Sequence, residues 1–160
     1  MMHAIVSKSI LQRVVTHTGI VTDKLNMTCL DDGWKISITD PAKVAMMNIM
    51  VWTNAMDSYE VQVTSEDERE IIFDLEKLAS ALSIFPDGQP VEITFSDGVV
   101  RLDCGRMHRA IRNEVRVEGE PRMKIPEVNL RCSIPLDTTE IYKMISKSGG
   151  ITDHLTISCG

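Results

Sequence analysis

The sequence contains no long hydrophobic run. None of its apolar stretches approaches the roughly 20 residues needed to cross a bilayer, and the N-terminus lacks the apolar core of a signal peptide. Cysteine is also scarce, with 4 among 160 residues, whereas small secreted domains depend on dense disulfides. These absences predict a soluble protein of a reducing compartment that has no membrane partner.

The usual signatures of catalysis and cofactor binding are missing as well. There is no glycine-rich phosphate loop and no helix with two histidines around a glutamate. Cys104 and His108 are the best candidates for a nucleophile and its base, but they flank a turn at Gly105 without a third residue to orient them. No further Cys or His stands at metal-ligand spacing from this pair. We therefore expect no enzymatic activity, no metal and no cofactor.

Positive charge is not in excess, because 23 acidic and 17 basic residues give a net charge of −6. Lysine and arginine dominate phosphate binding, so the overall composition speaks against a nucleic-acid partner. Only a local concentration of basic side chains would support one.

What the chain does contain is an internal repeat. The sequence TDKLNMTC at residues 22–29 returns as TDHLTISC at 152–159, an offset of 130 positions, and the match extends backwards to pair Arg13 with Lys143. This period is too long for a solenoid or a propeller and fits a duplicated domain of ordinary size. The sequence therefore predicts one whole unit and the opening of a second, truncated one.

Hydrophobic periodicity predicts an α+β fold for the first unit. One helix is expected from a cap at Ser9 to about Thr18, and another from a cap at Asp74 to about Ile84, with Ala79 on its apolar stripe. Strands are expected over 2–7, 24–30, 34–39, 44–52, 60–64, 71–73, 91–95, 99–104 and 107–112.

The pattern breaks after the last of these strands. Residues 113–131 contain two prolines and charges of mixed sign, which indicates an extended connecting loop. A strand then restarts at Cys132, and Asp137 can cap a helix that carries Ile141, Met144 and Ile145. We expect a first domain over 1–112, an interdomain loop over 113–131 and the start of a second domain over 132–160.

The order and spacing of these features resemble the sliding clamp family of proliferating cell nuclear antigen along the whole chain. The motifs that carry the resemblance are Ser9-Ile10-Leu11, Asp40-Pro41-Ala42-Lys43-Val44-Ala45-Met46, Ser58-Tyr59-Glu60, Asp74-Leu75, Ile125-Pro126-Glu127 and the sequence DHLTISC at 153–159. The residue sequence of the run that begins at Asp40 is similar to that of archaeal members of the family.

The resemblance implies the DNA clamp, or processivity, fold, with antiparallel sheets and two helices per domain. It implies a homotrimeric ring around duplex DNA that tethers DNA polymerase and other replication and repair enzymes, is opened by a clamp loader, and catalyses nothing. The expected location is the cytoplasm, with the nucleoid, or the nucleus in a eukaryote. This chain is then expected to be a truncated clamp subunit.

Three sets of site residues follow from the resemblance. The expected DNA-facing residues are Gln12, Arg13, Thr16 and His17 on the first helix, Lys77 and Ser80 on the second, and Lys143, Ser146 and Lys147 on the repeated helix. The expected partner-peptide pocket consists of Val44, Met46, Met123, Ile125 and Pro126. The expected subunit-contact strand consists of Met107, His108, Arg109, Ala110, Ile111 and Arg112.

Two other interpretations stay open. A short clamp homologue or fragment would bind partner peptides, or dimerise through open sheet edges, without encircling DNA. An α+β interaction domain unrelated to DNA would keep the repeat, but it would not need a basic residue at both position 13 and position 143.

Overall fold

The computed structural model describes residues 1–42, 44–62, 69–114, 135, 137–148 and 156. The chain forms two compact units, Met1–Met123 and Lys124–Gly160. The described part of the first unit contains nine strands and two helices, and the described part of the second contains one helix. The domain boundaries drawn from the sequence stay a prediction.

The elements of the first unit follow one another with short connections. In chain order they are β1 (Met2–Ser7), α1 (Lys8–Thr18), β2 (Lys24–Leu30), β3 (Gly33–Thr39), β4 (Met46–Trp52), β5 (Ser58–Val61), β6 (Glu70–Asp74), α2 (Leu75–Ser83), β7 (Pro90–Ser96), β8 (Val99–Cys104) and β9 (Met107–Arg112). A 3₁₀ turn, Thr53–Ala55, follows β4. The helix of the second unit is α3 (Thr138–Ser148).

The strands form two antiparallel sheets. One has five strands in the order β5-β1-β7-β8-β9, and the other has four in the order β4-β3-β2-β6. The fold is therefore α+β with antiparallel sheets, as the sequence predicts.

The first unit has an internal symmetry that its topology reveals. Both β1-α1-β2-β3-β4 and β6-α2-β7-β8-β9 follow the order strand, helix and three strands. The leading strands are exchanged, because β1 pairs with β7 and β6 pairs with β2. As a result, β4 and β9 occupy equivalent edges of the two sheets, and α1 and α2 are equivalent helices.

Alternating side chains from both sheets meet both helices in one core. β2 buries Leu25, Met27 and Cys29 at every second position. The fully buried Trp34 is the largest of these core side chains. Leu11 of α1 and Leu78 of α2 cover the same core.

The approach of β4 to β3 depends on Gly33, the first residue of β3. Its φ is +140°, and a Cβ at this position would lie 2.1 Å from the carbonyl oxygen of Val51. Only glycine allows β4 to approach β3 so closely here. The two strands expected from the sequence over 24–30 and 34–39 pair here as an antiparallel hairpin.

The helix starts show which caps the sequence identified correctly. Asp74 caps α2 as predicted, since its Oδ1 accepts hydrogen bonds from the backbone N–H groups of Glu76 and Lys77. The predicted cap at Ser9 is wrong, because α1 already begins at Lys8 after Ser7. The reason is tertiary: the side chain of Lys8 is held in the core at this point.

Three further expectations need correction. On α2 the buried alanine is Ala81 and not Ala79, because Ala81 lies on the side of the helix that adjoins β9. β4 begins at Met46 and not at residue 44, because the preceding loop folds around Asp40. The strand expected over 60–64 is β5, Ser58–Val61, since its backbone pairs with β1 in that register.

A buried lysine ties the start of α1 to the end of α2. The ammonium of Lys8 donates to the backbone carbonyl of Phe85 and lies 2.6 Å from Oδ1 of Asp87. The carboxylate of Asp87 is almost fully exposed, so water screens the ion pair strongly. The hydrogen bond to the buried carbonyl therefore stabilises this junction more than the ion pair does.

We predict that Lys8→Met lowers the free energy of unfolding by about 1–3 kcal/mol, because it leaves the carbonyl of Phe85 without a donor. Asp87→Asn should cost less than about 1 kcal/mol, as expected for an exposed ion-pair partner. Urea unfolding of both variants measures the difference. A larger loss for Asp87→Asn would contradict this assignment.

Candidate nucleic-acid interface and partner surfaces

The polar face of α1 is exposed, opposite the buried Leu11 and Val14. It presents the four predicted residues Gln12, Arg13, Thr16 and His17 to solvent. α1 contains no acidic residue, although the chain as a whole is acidic. The exposed positive charge of α1 is that of Arg13, and the DNA-facing role of this face stays a prediction.

The polar face of α2 continues this surface. The two helices pack against each other, and both Lys77 and Ser80 are exposed. Glu76, also exposed, offsets part of the charge of Lys77. We call these exposed residues, Gln12, Arg13, Thr16, His17, Lys77 and Ser80, the helix surface. Its positive charge is sparse, which suits weak phosphate contacts without base readout.

The helix of the second unit repeats α1 in the predicted register. α1 is Lys8–Thr18 and α3 is Thr138–Ser148, so both helices have 11 residues and both ends are offset by 130 positions. Asp137 caps α3 by accepting hydrogen bonds from the backbone N–H groups of Glu140 and Thr139, and these bonds, the one from Glu140 most strongly, lower the pKa of Asp137.

The expected DNA-facing residues of α3 are all exposed: Lys143, Ser146 and Lys147. The hydroxyl of Ser146 donates back to the carbonyl of Tyr142 in its own helix. The side chains free to reach a phosphate on this face are therefore the two lysines. Arg13 has its basic counterpart in Lys143 on a helix of the same length and register.

The loop before β4 is organised by Asp40. Its Oδ1 accepts hydrogen bonds from the backbone N–H groups of Val44, at 2.7 Å, and Ala45, at 2.6 Å, and its Oδ2 accepts one from Ala42. The backbone of Asp40 donates to the carbonyl of Ala45 in return. These bonds favour the ionised carboxylate and lower the pKa of Asp40, the bond from Ala45 most strongly.

The Asp40 loop and the first residue of β4 present two apolar side chains to solvent. Val44 is 85% exposed and Met46 is 38% exposed, so neither is a core residue. Exposed apolar groups on an ordered loop are suited to binding another apolar surface. The other predicted pocket residues, Met123, Ile125 and Pro126, lie outside the described residues.

β9 lies at the edge of the five-stranded sheet. Met107, Arg109 and Ile111 are on its core side, since they pair with the buried Cys104, Leu102 and Val100 of β8. The side chain of Ile111 is buried, so only the backbone of this residue is available to contact a neighbouring subunit. His108, Ala110 and Arg112 lie on the outer side, and the remaining side chains of the strand are exposed.

Sequence reasoning missed an aromatic side chain on the surface. Trp52 at the end of β4 is 53% exposed, whereas Trp34 is buried. Trp52 follows the buried Val51, so the alternation of the strand places it on the face away from the core. The period of 2 in β4, once anchored at Val51, was the signal that would have found it.

The candidate nucleophile and base are not arranged for catalysis. Cys104 is buried in the core, whereas the side chain of His108 is exposed and its Nδ1 lies 3.2 Å from Asp103. Burial raises the pKa of Cys29 to about 12, so its thiol stays protonated at neutral pH. Among the residues that the structure describes, no group of three side chains could hold a metal ion.

No helix in the described part of the chain is both long and apolar enough to cross a membrane.

Comparison with curated proteins identifies archaeal relatives. The chain is 24% identical over 159 residues to the DNA polymerase sliding clamp of Methanosarcina acetivorans, and 23% identical over 161 residues to that of Haloarcula marismortui. These alignments cover 97% and 98% of the chain, which spans about 62% of the length of either relative. No protein-family model matches the chain.

Comparison with solved structures shows the fold. Archaeoglobus fulgidus PCNA, solved as "C-terminal region of FEN-1 bound to A. fulgidus PCNA", superposes with a TM-score of 0.81 at 21% identity, over 96% of this chain and 61% of that one. PCNA from Entamoeba histolytica superposes with a TM-score of 0.75 at 21% identity, over 95% and 62%. The chain thus has the PCNA-like clamp fold, and its sequence resembles archaeal DNA polymerase sliding clamps.

We predict that Asp40→Ala frees the loop that presents Val44 and Met46, because three backbone N–H groups lose their acceptor. Amide hydrogen exchange measured by NMR at one fixed pH should become faster at Ala42, Val44 and Ala45, while amides of the β7–β8 hairpin serve as the control. Unchanged exchange in the loop would contradict the role of Asp40.

The pH dependence of the same loop follows from the lowered pKa of Asp40. A carboxyl group whose pKa is lowered by folding stabilises the fold above its ordinary pKa, and this contribution is lost as the pH falls through the lowered value. The loop should therefore stay ordered throughout the neutral range and loosen only in acid.

Proposed function

We propose that the chain is a sliding-clamp subunit, a processivity factor that encircles duplex DNA and tethers replication and repair enzymes to it. The observation that carries the proposal is the repeated helix. α1 and α3 match in length and register at an offset of 130 positions, and each exposes a basic residue at the same place, Arg13 and Lys143. The archaeal relatives are named DNA polymerase sliding clamps.

The charge distribution suits a surface that slides. A protein with a net charge of −6 is repelled by DNA at long range, so contact is favoured only where basic side chains are concentrated. Arg13, Lys77, Lys143 and Lys147 are the charges available on the proposed DNA-facing helices. So few contacts, all to phosphates, bind every sequence alike and weakly, which leaves the duplex free to move.

The partner site proposed for the clamp is the Asp40 loop with Val44 and Met46, completed by Met123, Ile125 and Pro126. The partners would be DNA polymerase, the clamp loader and other proteins that carry clamp-binding peptides. Methionine suits such a site because its flexible side chain adapts to different ligands. The A. fulgidus PCNA structure, which contains the C-terminal region of FEN-1, supports a peptide as the ligand.

The remaining parts of the proposal follow the relatives. The assembled form would be a homotrimer, the protein itself would catalyse nothing, and it would act beside the replication machinery in the cytoplasm or, in a eukaryote, the nucleus. A second candidate is a clamp homologue that binds partner peptides without encircling DNA. The exposure of Val44 and Met46 within the first unit favours it, because these residues are available with or without a ring.

We predict that Arg13→Gln combined with Lys143→Gln weakens binding to duplex DNA equally for all sequences. The slope of log affinity against log salt should fall by about 2, since each lost phosphate contact removes about 1. Fluorescence anisotropy with a labelled duplex at several salt concentrations measures it. Lys35→Gln combined with Arg101→Gln is the matched control, because both residues are exposed on strands outside the helices. An equal loss of DNA affinity in the control variant would show that Arg13 and Lys143 do not form a specific DNA-binding surface.

Encirclement predicts a topological difference. A clamp assembled on closed circular DNA should remain bound through gel filtration and should be lost when a restriction enzyme linearises the circle, because a ring can slide off an end. Retention that is the same on circular and linear DNA would favour the peptide-binding alternative.

A further inference from the structure

α3 carries a stripe of apolar side chains that remains largely exposed. Ile141, Met144 and Ile145 lie on one side of the helix, at the spacing of three and four residues that brings side chains together. Met144 is 55% and Ile145 is 52% exposed, Ile141 is half-buried, and α3 has no buried residue. We call these three residues the α3 stripe. Contiguous apolar side chains on a protein surface mark a place where another apolar surface binds.

The equivalent stripe of α1 shows how this fold covers such a helix. Leu11, Val14 and Val15 stand 130 positions before the residues of the α3 stripe. Leu11 and Val14 are buried, and Val15 packs against the same core. α1 also packs against α2, the equivalent helix of the other half of the first unit. α3 repeats α1, but it is the one helix of the second unit in the part of the chain that the structure describes.

We propose that two copies of this chain associate through the α3 stripe, with the two α3 helices packed antiparallel about a two-fold axis. The second copy supplies the equivalent helix that α2 supplies to α1 in the first unit. A two-fold contact uses the same surface on both partners, so it closes at a dimer. The proposal goes beyond the proposed clamp function, since the contact needs neither DNA nor a ring and does not involve the sheet edges.

Charge sets the direction of the two helices. Glu140 and Lys147 are exposed on the same flank of the α3 stripe, about 10 Å apart along the helix axis, which is too far for an ion pair within one helix. Antiparallel packing places Glu140 of each copy beside Lys147 of the other, whereas parallel packing would place like charges side by side. Lys143 and Ser146 lie on the side of the helix away from the contact.

The size of α3 sets the strength of the contact. An 11-residue helix is about 16 Å long, so its face is smaller than the roughly 800 Å² per partner of a standard interface. The dimer is therefore weak and reversible. Burial of the stripe also stabilises a helix that is too short to be stable by itself in water.

Sedimentation velocity of the unmodified chain, over a concentration series up to about 1 mM, measures an association of this strength. The 17.9 kDa monomer should convert to a dimer in proportions that rise with concentration. An unmodified chain that stays monomeric throughout the series would overturn the proposal, since some other surface would then have to cover the α3 stripe.

Blocking the stripe tests whether the dimer forms through it. Ile145→Lys places a charge in the contact and should lower the association constant at least about tenfold. The matched control is Ser146→Lys, which adds the same charge one position away on the polar side of α3 and should associate like the unmodified chain. Both positions are exposed in the single chain, and circular dichroism checks that both variants are folded. Association of Ile145→Lys as strong as that of the unmodified chain would show that another surface is used.

A second pair of variants tests the antiparallel direction. Glu140→Lys and Lys147→Glu each replace two attractive contacts of the dimer by repulsive ones, so each association constant should fall at least about threefold at low salt. An equimolar mixture should recover the association, because the introduced lysine of one copy then faces the introduced glutamate of the other. Single variants that associate like the unmodified chain would contradict the antiparallel direction, and a mixture no stronger than either variant would contradict the pairing of positions 140 and 147.

These measurements are made without DNA. Lys147 is also one of the proposed DNA-facing residues, so the absence of DNA keeps a loss of self-association distinct from a loss of DNA binding. A dimer that depends on the α3 stripe would stand even if the chain failed to bind DNA, and DNA binding would stand even if the chain were monomeric.

Discussion

The exchange of leading strands between the two halves of the first unit is the constraint on which the rest of the structure depends. β1 belongs to the first half in sequence but pairs with β7 over six residues, and β6 pairs with β2. Neither half can complete its sheet alone, so the two sheets and both helices must fold around one core. The buried Lys8 strengthens the same dependence, since it joins the start of α1 to the end of α2.

This arrangement also decides what reaches the surface. With the apolar stripes of α1 and α2 committed to the shared core, their polar faces form one continuous layer that carries Arg13 and Lys77. The same topology leaves β4 and β9 at the sheet edges, each beside a helix. The exposed helix faces and the two edge strands therefore result from a single folding requirement.

Much of this could be predicted because the signals are local. The helix α1, the cap at Asp74 and the strands β7, β8 and β9 depend on neighbouring residues and were expected from local patterns in the sequence. The errors arose where contacts with residues far away in the sequence decide where a helix begins or which of its faces is buried. Ser9 is a good cap in isolation, but α1 begins at Lys8, whose side chain is buried, and Ala81 rather than Ala79 is buried because it adjoins β9. The exposure of Trp52 was missed because alternation along a strand shows which residues share a face, but it does not show which face is buried until one buried residue is known.

The sequence by itself determined the repeat, the α+β class, the register of α3 relative to α1 and the likeness to sliding clamps, because each depends on the order and period of residues along the chain. Tertiary structure alone decided that Val44 and Met46 face solvent, that Cys104 and His108 are kept apart, and that β4 and β9 are the edge strands of the sheets in the described part of the chain. These properties depend on which strand lies beside which, and strand pairing is set by contacts between residues far apart in the chain.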